Sequence, residues 1–596
     1  MKLSLTFLVT FLLIAPNFTK AQFEAINSNL RGLRNGDITF TDFDSDGDID
    51  VLMIGDDIEA NAFSLIYLND NLSFTESAIT SFPALMDGAF DWADYNNDGK
   101  MDLAVIGFTI PDGRLITEVH THDGEFIKTD LELTGISRGG VDWGDYNNDG
   151  LPDLLIAGQD AESNSVTKLF ENKGTYFSEV ELPNVEGVSF GDVKWADYDG
   201  DGLLDFIISG VQGQAPETTP PVTKLYKNTG DGFEEVFKDT FIGVYVSSIE
   251  WGDADNDGDL DVIITGFTAD YMGSTTLYIN EGTLFRIHET GLPNILEGFA
   301  KWGDYNNDNQ LDILISGNSL ESPSKICAVY ENKNLAFEKV FEHTGVGQSS
   351  GGWADLNNDD YLDFIVMGQT ESLEMLATVF INEGGHESNT GNNALKQATA
   401  TVNNPPSTPA NLTSAVKDGK VTLSWDASTD DLTNSNSLSY SVNIFKDGQL
   451  HISSLSNESG KRSIVAPGNA GLQTFYVSEN LPVGNYSWSV QAIDNSYSAS
   501  SFSATNDFSI EEQVGLDADE LDKSQVKIFP IPVKDQLFVE GINTPFTTQL
   551  FSINGTLVIS EAQYNNGVNV SQLKNGIYLL KITSNNHTIH RKFIKK

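Results

Sequence analysis

The chain has 596 residues, with 34 Lys and Arg against 86 Asp and Glu, a formal charge of −52 and a pI near 4.2. Such a surface repels polyanions, whose binding needs basic patches, and this excludes nucleic acid and anionic membranes as partners. The length accommodates several domains, and the single cysteine, Cys327, leaves no disulfide framework.

The first segment reads as an address. Lys2, an apolar stretch over 3–15 and small residues at 19–21 before Gln22 predict a secretory signal peptide over 1–21. No later segment is apolar enough to predict a membrane-spanning helix.

Residues 22–384 repeat one unit. Acidic nine-residue loops begin at Asp42, Asp94, Asp145, Asp197, Asp253, Asp304 and Asp355, spaced 52, 51, 52, 56, 51 and 51 residues apart. Oxygen side chains fall at loop positions 1, 3, 5 and 9. They are Asp42, Asp44, Asp46 and Asp50 in the first loop, then Asp94, Asn96, Asp98 and Asp102, then Asp145, Asn147, Asp149 and Asp153. The later loops supply Asp197, Asp199, Asp201 and Asp205; Asp253, Asp255, Asp257 and Asp261; Asp304, Asn306, Asp308 and Asp312; and Asp355, Asn357, Asp359 and Asp363. A short loop wraps a hard cation in this way, and Ca²⁺ takes six to eight oxygens at about 2.3–2.6 Å, with glycine favoured at the sharp turn of position 6. Up to seven Ca²⁺ sites are therefore expected. The loops at Asp304 and Asp355 are expected to be the weakest, because each has three ligand carboxylates and carries Asn309 or Asp360 in place of glycine.

The flanks of each loop repeat as well. Trp92, Trp143, Trp195, Trp251, Trp302 and Trp353 each stand two residues before a loop, where the first copy has Phe40. After the loop come a β-type run ending in glycine, a run ending in asparagine and a short fourth run. Four short strands per unit of about 51 residues predict a propeller blade. One such sheet buries too little alone, so the units must stack around an axis. The chain enters the repeat at Phe23-Glu24-Ala25, matching a fourth strand, and leaves it over 379–382, matching a third. The N-terminal strand is thus expected to complete the last blade and close a seven-bladed ring with no open edge.

The pattern W-x-D-x-[DN]-x-D-G-x-x-D with trailing hydrophobics and glycine resembles the FG-GAP/VCBS repeat of integrin-α-type propellers and bacterial surface proteins, over about residues 23–384. The resemblance implies that the acidic loop joins the first and second strands of a blade and holds Ca²⁺, and that partners bind the opposite face.

Residues 385–409 read as a linker that stiffens at Pro405, Pro406 and Pro409. Residues 410–512 follow with alternating strands around Trp425, 440–444 and 486–492. The stretch from Leu481 to Ala492, with Tyr486 and Trp488, resembles the tyrosine-corner strand of fibronectin type III domains, which implies a small β-sandwich; a spacer is its expected role. A second linker occupies 513–525. Residues 526–596, with Pro530-Ile531-Pro532, an Asn-Gly turn, Leu573 to Tyr578 and a basic end, resemble the type A C-terminal sorting domain of type IX secretion substrates. The usual Pro-Asn-Pro is altered in one residue. That resemblance implies translocation across the outer membrane by type IX secretion machinery, followed by release or attachment to the cell surface.

The expected fold class is all-β: a seven-bladed propeller, a fibronectin type III-like sandwich and a small C-terminal β-domain. No His-Glu-x-x-His, Cys-x-x-Cys, Gly-x-Ser-x-Gly or P-loop occurs, and no catalytic residues or organic cofactor are expected. No cluster of bases beside a neutralising cation is evident, which disfavours a polysaccharide lyase. All eight tryptophans fall at repeated or core positions, so a sugar-stacking surface would have to use Tyr245, Phe267 or Tyr271. The favoured function is adhesion to, or recognition of, an extracellular protein or glycan. The alternatives are a polysaccharide-processing enzyme or its accessory module, and a structural matrix component. The binding surface is expected in the second-to-third strand connections, the longest of which is 211–221, with Tyr245, Phe267 and Tyr271 nearby.

Overall fold

The computed structural model describes residues 23–383, 404–510 and 526–596, apart from short internal stretches that include 214–218 and the sixth position of every acidic loop except Gly150. The predicted signal peptide at 1–21, the linker at 513–525, most of the linker at 385–409, and Asn309 and Asp360 lie outside the described residues. Every regular element among the described residues is a β-strand. The chain divides into two compact units, Met1–Ile510 and Glu511–Lys596.

The first unit is built on a repeated antiparallel motif. Strands Ser137–Gly144, Asp153–Gln159, Ser165–Asn172 and Phe177–Val180 pair in chain order. So do Val193–Ala196, Asp205–Gly210, Val222–Asn228 and Phe233–Val236, and again Tyr245–Gly252, Asp261–Phe267, Gly273–Asn280 and Phe285–His288. The motif continues on either side of these. Phe337–Ala354 runs for 18 residues, pairing first with Lys325–Asn332 and then with Asp363–Gln369. Phe23–Ile26 pairs antiparallel with Met375–Asn382, placing Phe23 opposite Asn382.

The second strand of each motif is buried almost from end to end, as in Asp205–Gly210. Such a strand is apolar on both faces because it is covered on both, here by the sheets before and after it. The register follows from this burial. Trp143 stands opposite Leu154, Trp195 opposite Phe206 and Trp302 opposite Ile313, so each Trp lies one pair away from the position-9 Asp that opens the second strand. Trp195, Trp302 and Trp353 each pack on the glycine that follows the first-strand Trp of the preceding sheet, Gly144, Gly252 and Gly303. A Cβ on Gly303 would stand 2.7 Å from Trp353 Cδ1, so only glycine permits this approach.

Adjacent sheets are joined by one repeated contact. The amide Nδ2 of Asn172, Asn228, Asn280, Asn332 and Asn382 donates to the position-2 carbonyl of the preceding loop, at Tyr95, Tyr146, Tyr198, Ala254 and Tyr305. Asn69 of the first motif donates in the same way to Leu356 of the last, at 2.8 Å. In the second motif His122 takes the asparagine's place and stacks on Phe43, with ring centroids 4.2 Å apart.

Residues 410–510 form two sheets around one core. Ala410–Lys417, Lys420–Asp426 and Phe475–Ser478 make one; Gln449–Ile452, Ser439–Lys446, Gly484–Ile493 and Asn506–Ile510 make the other. Trp425 packs between Tyr440 and Trp488, and the Tyr486 hydroxyl donates to the Pro482 carbonyl. This sandwich touches the repeat region at three places: Ser453 N donates to Asn148 Oδ1 (3.0 Å), Ser478 Oγ to Gly200 O (3.1 Å) and Gln473 Nε2 to Asn256 Oδ1 (2.9 Å).

The second unit holds a three-stranded sheet, Lys527–Phe529, Gln536–Glu540 and Val568–Asn569, and a four-stranded sheet of Leu557–Glu561, Thr547–Ser552, Gly576–Ser584 and His587–Lys595. Val533, Leu537, Leu550, Leu580 and Phe593 form its core. Among the described residues, no helix is long and apolar enough to cross a membrane.

Candidate metal centres

The acidic loops are held by their own backbone. In all seven, the position-1 carboxylate accepts from the position-5 amide at 2.9–3.1 Å. The position-5 carboxylate accepts from the position-7 amide over the same range. These Asx turns curl the chain into a compact loop. Position 4 adopts a left-handed conformation at Asn148, Gly200, Asn256, Asn307 and Asn358.

Position 9 is the buried anchor. Asp50, Asp153, Asp205, Asp261, Asp312 and Asp363 each accept on Oδ1 from the backbone of the asparagine that joins the sheets, at 2.7–2.8 Å, and Asp102 accepts from His122. The second oxygens of Asp102, Asp205 and Asp312 are buried and have no hydrogen-bond partner. A buried carboxylate oxygen without a partner is costly, and a cation would satisfy it.

In three loops the carboxylate oxygens of positions 1, 3 and 9 lie within 4.8 Å of one another: Asp42, Asp44 and Asp50; Asp197, Asp199 and Asp205; Asp253, Asp255 and Asp261. The other four carry asparagine at position 3, which keeps an oxygen donor there without the charge. The donors are all oxygens, and such a set fits a hard divalent cation.

Burial and neighbouring carboxylates raise the position-9 pKa values from the ordinary 3.8 to about 7 at Asp50, about 8 at Asp102 and Asp261, and about 9 at Asp153 and Asp312. Burial lifts Asp205 and Asp363 well above that ordinary value too. The folded state therefore holds protons that the unfolded chain has released, so stability is greatest below pH 4 for these groups and falls as pH rises toward 9. With chelator present, the melting temperature is expected to fall steadily between pH 5 and pH 9. With excess divalent cation the decline should flatten, and two parallel curves would contradict this.

Several features escaped the sequence reading. Lys227 reaches the carboxylates of Asp199 and Asp201, the latter at 2.7 Å, and supplies a built-in cation to that loop. No spacing signal marks it, since it lies 26 residues beyond Asp201. A second charged cluster forms where the first strands approach one another. Asp91, Asp142, Lys194, Glu250 and Lys301, each directly before a Trp, gather with Asp37 and Asp192. The residue preceding each Trp was the available signal. Lys194 pairs with Asp142 at 2.7 Å and Lys301 with Glu250 at 2.6 Å. Asp91 and Asp142 accept from the Trp143 and Trp195 amides of the next sheet. The sequence suggested no such convergence of bases and acids; the structure has one, and its groups are engaged in joining sheets.

The aromatic surface also differs from expectation. Tyr245 is buried, stacked 5.1 Å from Phe267, whereas Tyr271 is 49% exposed. Tyr245 opens a first strand, where its neighbours cover it. The centre of 211–221 lies outside the described residues.

The FG-GAP-like repeat family matches residues 42–105, 145–208 and 197–264, and the secretion system C-terminal sorting domain matches 527–596. A search of curated proteins returns no match. Among solved structures the chain is similar to the extracellular domain of a hybrid two component system from B. thetaiotaomicron, at 12% identity over 82% of this chain and 57% of that one, with a TM-score of 0.35. It is also similar to the Dos1 propeller, at 9% identity over 61% and 96%, TM-score 0.35, and to the six-bladed lectin of Aleuria aurantia, at 9% identity over 49% and 90%, TM-score 0.30. The chain thus spans 57% of the length of the first of these. The sorting domain indicates export by type IX secretion. The protein carries FG-GAP-like repeats in its first unit and a secretion system C-terminal sorting domain in its second.

Proposed function

We propose that the exported protein is a seven-bladed propeller, stabilised by Ca²⁺ at its acidic loops, that recognises an extracellular protein or glycan through the face opposite those loops. The fibronectin type III-like reading of the sandwich at 410–510 rests on the Trp425 and Tyr486 positions and on the Tyr486 contact with Pro482. The seven-fold count rests on seven loops with matching internal hydrogen bonds and on the Asn69 contact with Leu356 between first and last motifs. Export after removal of a signal peptide at 1–21 agrees with the sorting domain.

The observation that carries the choice of face is a ring of strained residues. Asn35, Asp87, Arg138, Phe190, Val246, Glu297 and Gln348 each stand seven residues before a loop, and all have φ between 45° and 57°. Such a conformation costs of order 1–3 kcal/mol at a non-glycine residue and is concentrated at functional positions. These residues lie at or near the ends of the first strands remote from the acidic loops, and the ring presents amide, acidic, basic and apolar side chains. Backbone contacts run around it, from Asn35 N to Gln348 O (3.3 Å) and from Asp87 N to Asn35 O (3.1 Å). Arg138 reaches Asp87 at 3.0 Å and lies over Phe190. The loop face, by contrast, carries the sandwich.

Arrays of extracellular proteins and glycans, probed with the full chain, test this reading. Arg138→Ala with Phe190→Ala is expected to lower capture at least tenfold while leaving Ca²⁺-dependent melting unchanged. Undiminished capture would place the site elsewhere. At the loop beginning at Asp197, Lys227→Met should raise Ca²⁺ affinity severalfold by removing a competing ammonium, as read by calorimetric titration. An unchanged titration would show that Lys227 swings clear when the ion binds.

A further inference from the structure

The sandwich does not touch the acidic loops at random. Three of its hydrogen bonds fall on position 4 of three consecutive loops: Asn148 in the loop from Asp145, Gly200 in that from Asp197 and Asn256 in that from Asp253. Position 4 is the left-handed tip between ligand positions 3 and 5, with φ of 56°, 67° and 60° at the three residues. The sandwich also reaches position-1 carboxylates. The Tyr476 hydroxyl lies 3.4 Å from Asp197 Oδ2, and Gln473 Nε2 lies 3.5 Å from Asp253 Oδ2. Lys420 lends positive charge near Asp259. At the central loop, the buried Asp205 keeps an oxygen without a hydrogen-bond partner, an acceptor that a bound cation would satisfy.

We propose that the loops from Asp145, Asp197 and Asp253 form a docking surface for this chain's own sandwich, and that divalent-cation binding in them and sandwich docking are thermodynamically coupled. This rests on the Ca²⁺ reading above. The physical link is the loop tip. A cation held by positions 3 and 5 fixes the residue between them, and that residue presents the acceptor the sandwich reads. Without the ion, the carboxylates repel one another and the tips lose a common geometry, so three acceptors no longer match three donors on a rigid domain. The coupling is reciprocal: whatever factor the ion adds to docking, docking adds to ion affinity. The sandwich then acts as an arm whose angle is set by cation supply, rather than as a loose spacer.

The test uses the full chain with spin labels at Tyr176→Cys and Val483→Cys, both exposed, since Cys327 is buried and spared. Distances are measured by electron–electron resonance in Ca²⁺ and in EGTA, and Ca²⁺ stoichiometry is measured on the same samples by equilibrium dialysis. The expected result is a narrow distribution in Ca²⁺ that broadens in EGTA. Adding Gln473→Ala and Ser478→Ala should broaden the Ca²⁺ distribution, keep the number of bound ions, and weaken up to three of them by roughly fivefold. Ca²⁺ binding with the same distribution in both buffers overturns the coupling and leaves the Ca²⁺ reading intact. Absence of bound Ca²⁺ overturns both. A narrow distribution retained by the double variant overturns the assignment of the docking contacts.

Discussion

Removal of Ca²⁺ is expected to lower the melting temperature of the first unit by well over 10 °C. Each loop gathers four oxygen side chains from Asp and Asn, three or four of them carboxylates, and its position-9 carboxylate is fully buried. Binding to the folded state alone adds RT ln(1 + [L]/Kd), roughly 2.7 kcal/mol per site at a hundredfold excess over Kd. Even two or three filled sites would make a large fraction of a typical domain stability of about 5–15 kcal/mol. Calorimetry in Ca²⁺ and in EDTA reads this directly. Because charge repulsion is relieved by any divalent ion of suitable size, Mg²⁺ should substitute only in part, its smaller shell fitting a flexible all-oxygen loop less well. An identical melting curve in EDTA would show that the loops are held by their Asx turns alone.

The second large effect concerns closure. Asn69→Ala should destabilise the first unit by about 3 kcal/mol. Its amide donates to Ile49 O at 3.1 Å and Leu356 O at 2.8 Å, and its oxygen accepts from Leu72 N. Truncation leaves those buried backbone groups unpaired, and each unmade bond costs about 1–3 kcal/mol. The Leu356 contact links residues 287 apart in sequence, so the loss falls on the joint between the first and last motifs. Protease cleavage near residue 23 or 383 should therefore quicken in the variant. Asn332→Ala, at an internal joint, should cost a similar amount without exposing the termini. Equal cleavage in both variants would mean that the ends are held by the Phe23–Ile26 strand alone.

The repeats and the sorting domain were legible because their signals are local and recur. An acidic loop with a fixed flank, seen at regular spacing, needs no tertiary knowledge to be found, and an all-β chain follows from short alternating runs between turn residues. The contacts between repeats were less legible. Lys227 meets Asp199 and Asp201 only because the third strand folds back beside the loop, and its neighbours in other repeats are uncharged or acidic. The charged cluster of Lys194, Lys301 and their partners draws on residues of several sheets, so it exists only once the sheets come together. Tyr245 misled because exposure was inferred from its place near a connection, whereas its ring stacks on Phe267. The left-handed residues from Asn35 to Gln348 have no compositional mark at all: Phe190 and Val246 occupy a conformation that their side chains disfavour. Their register, seven residues before each loop, was visible only with the backbone in hand.

The central claim, that the acidic loops are Ca²⁺ sites arranged around one closed ring, is tested most directly by anomalous scattering from crystals of the full chain grown in Ca²⁺. The account predicts peaks within the loops, each surrounded by the oxygens of positions 1, 3, 5 and 9, strongest at the loops from Asp42 and Asp253 and weakest at those from Asp304 and Asp355. Loops without peaks at saturating Ca²⁺, or peaks held by residues other than these, would contradict it.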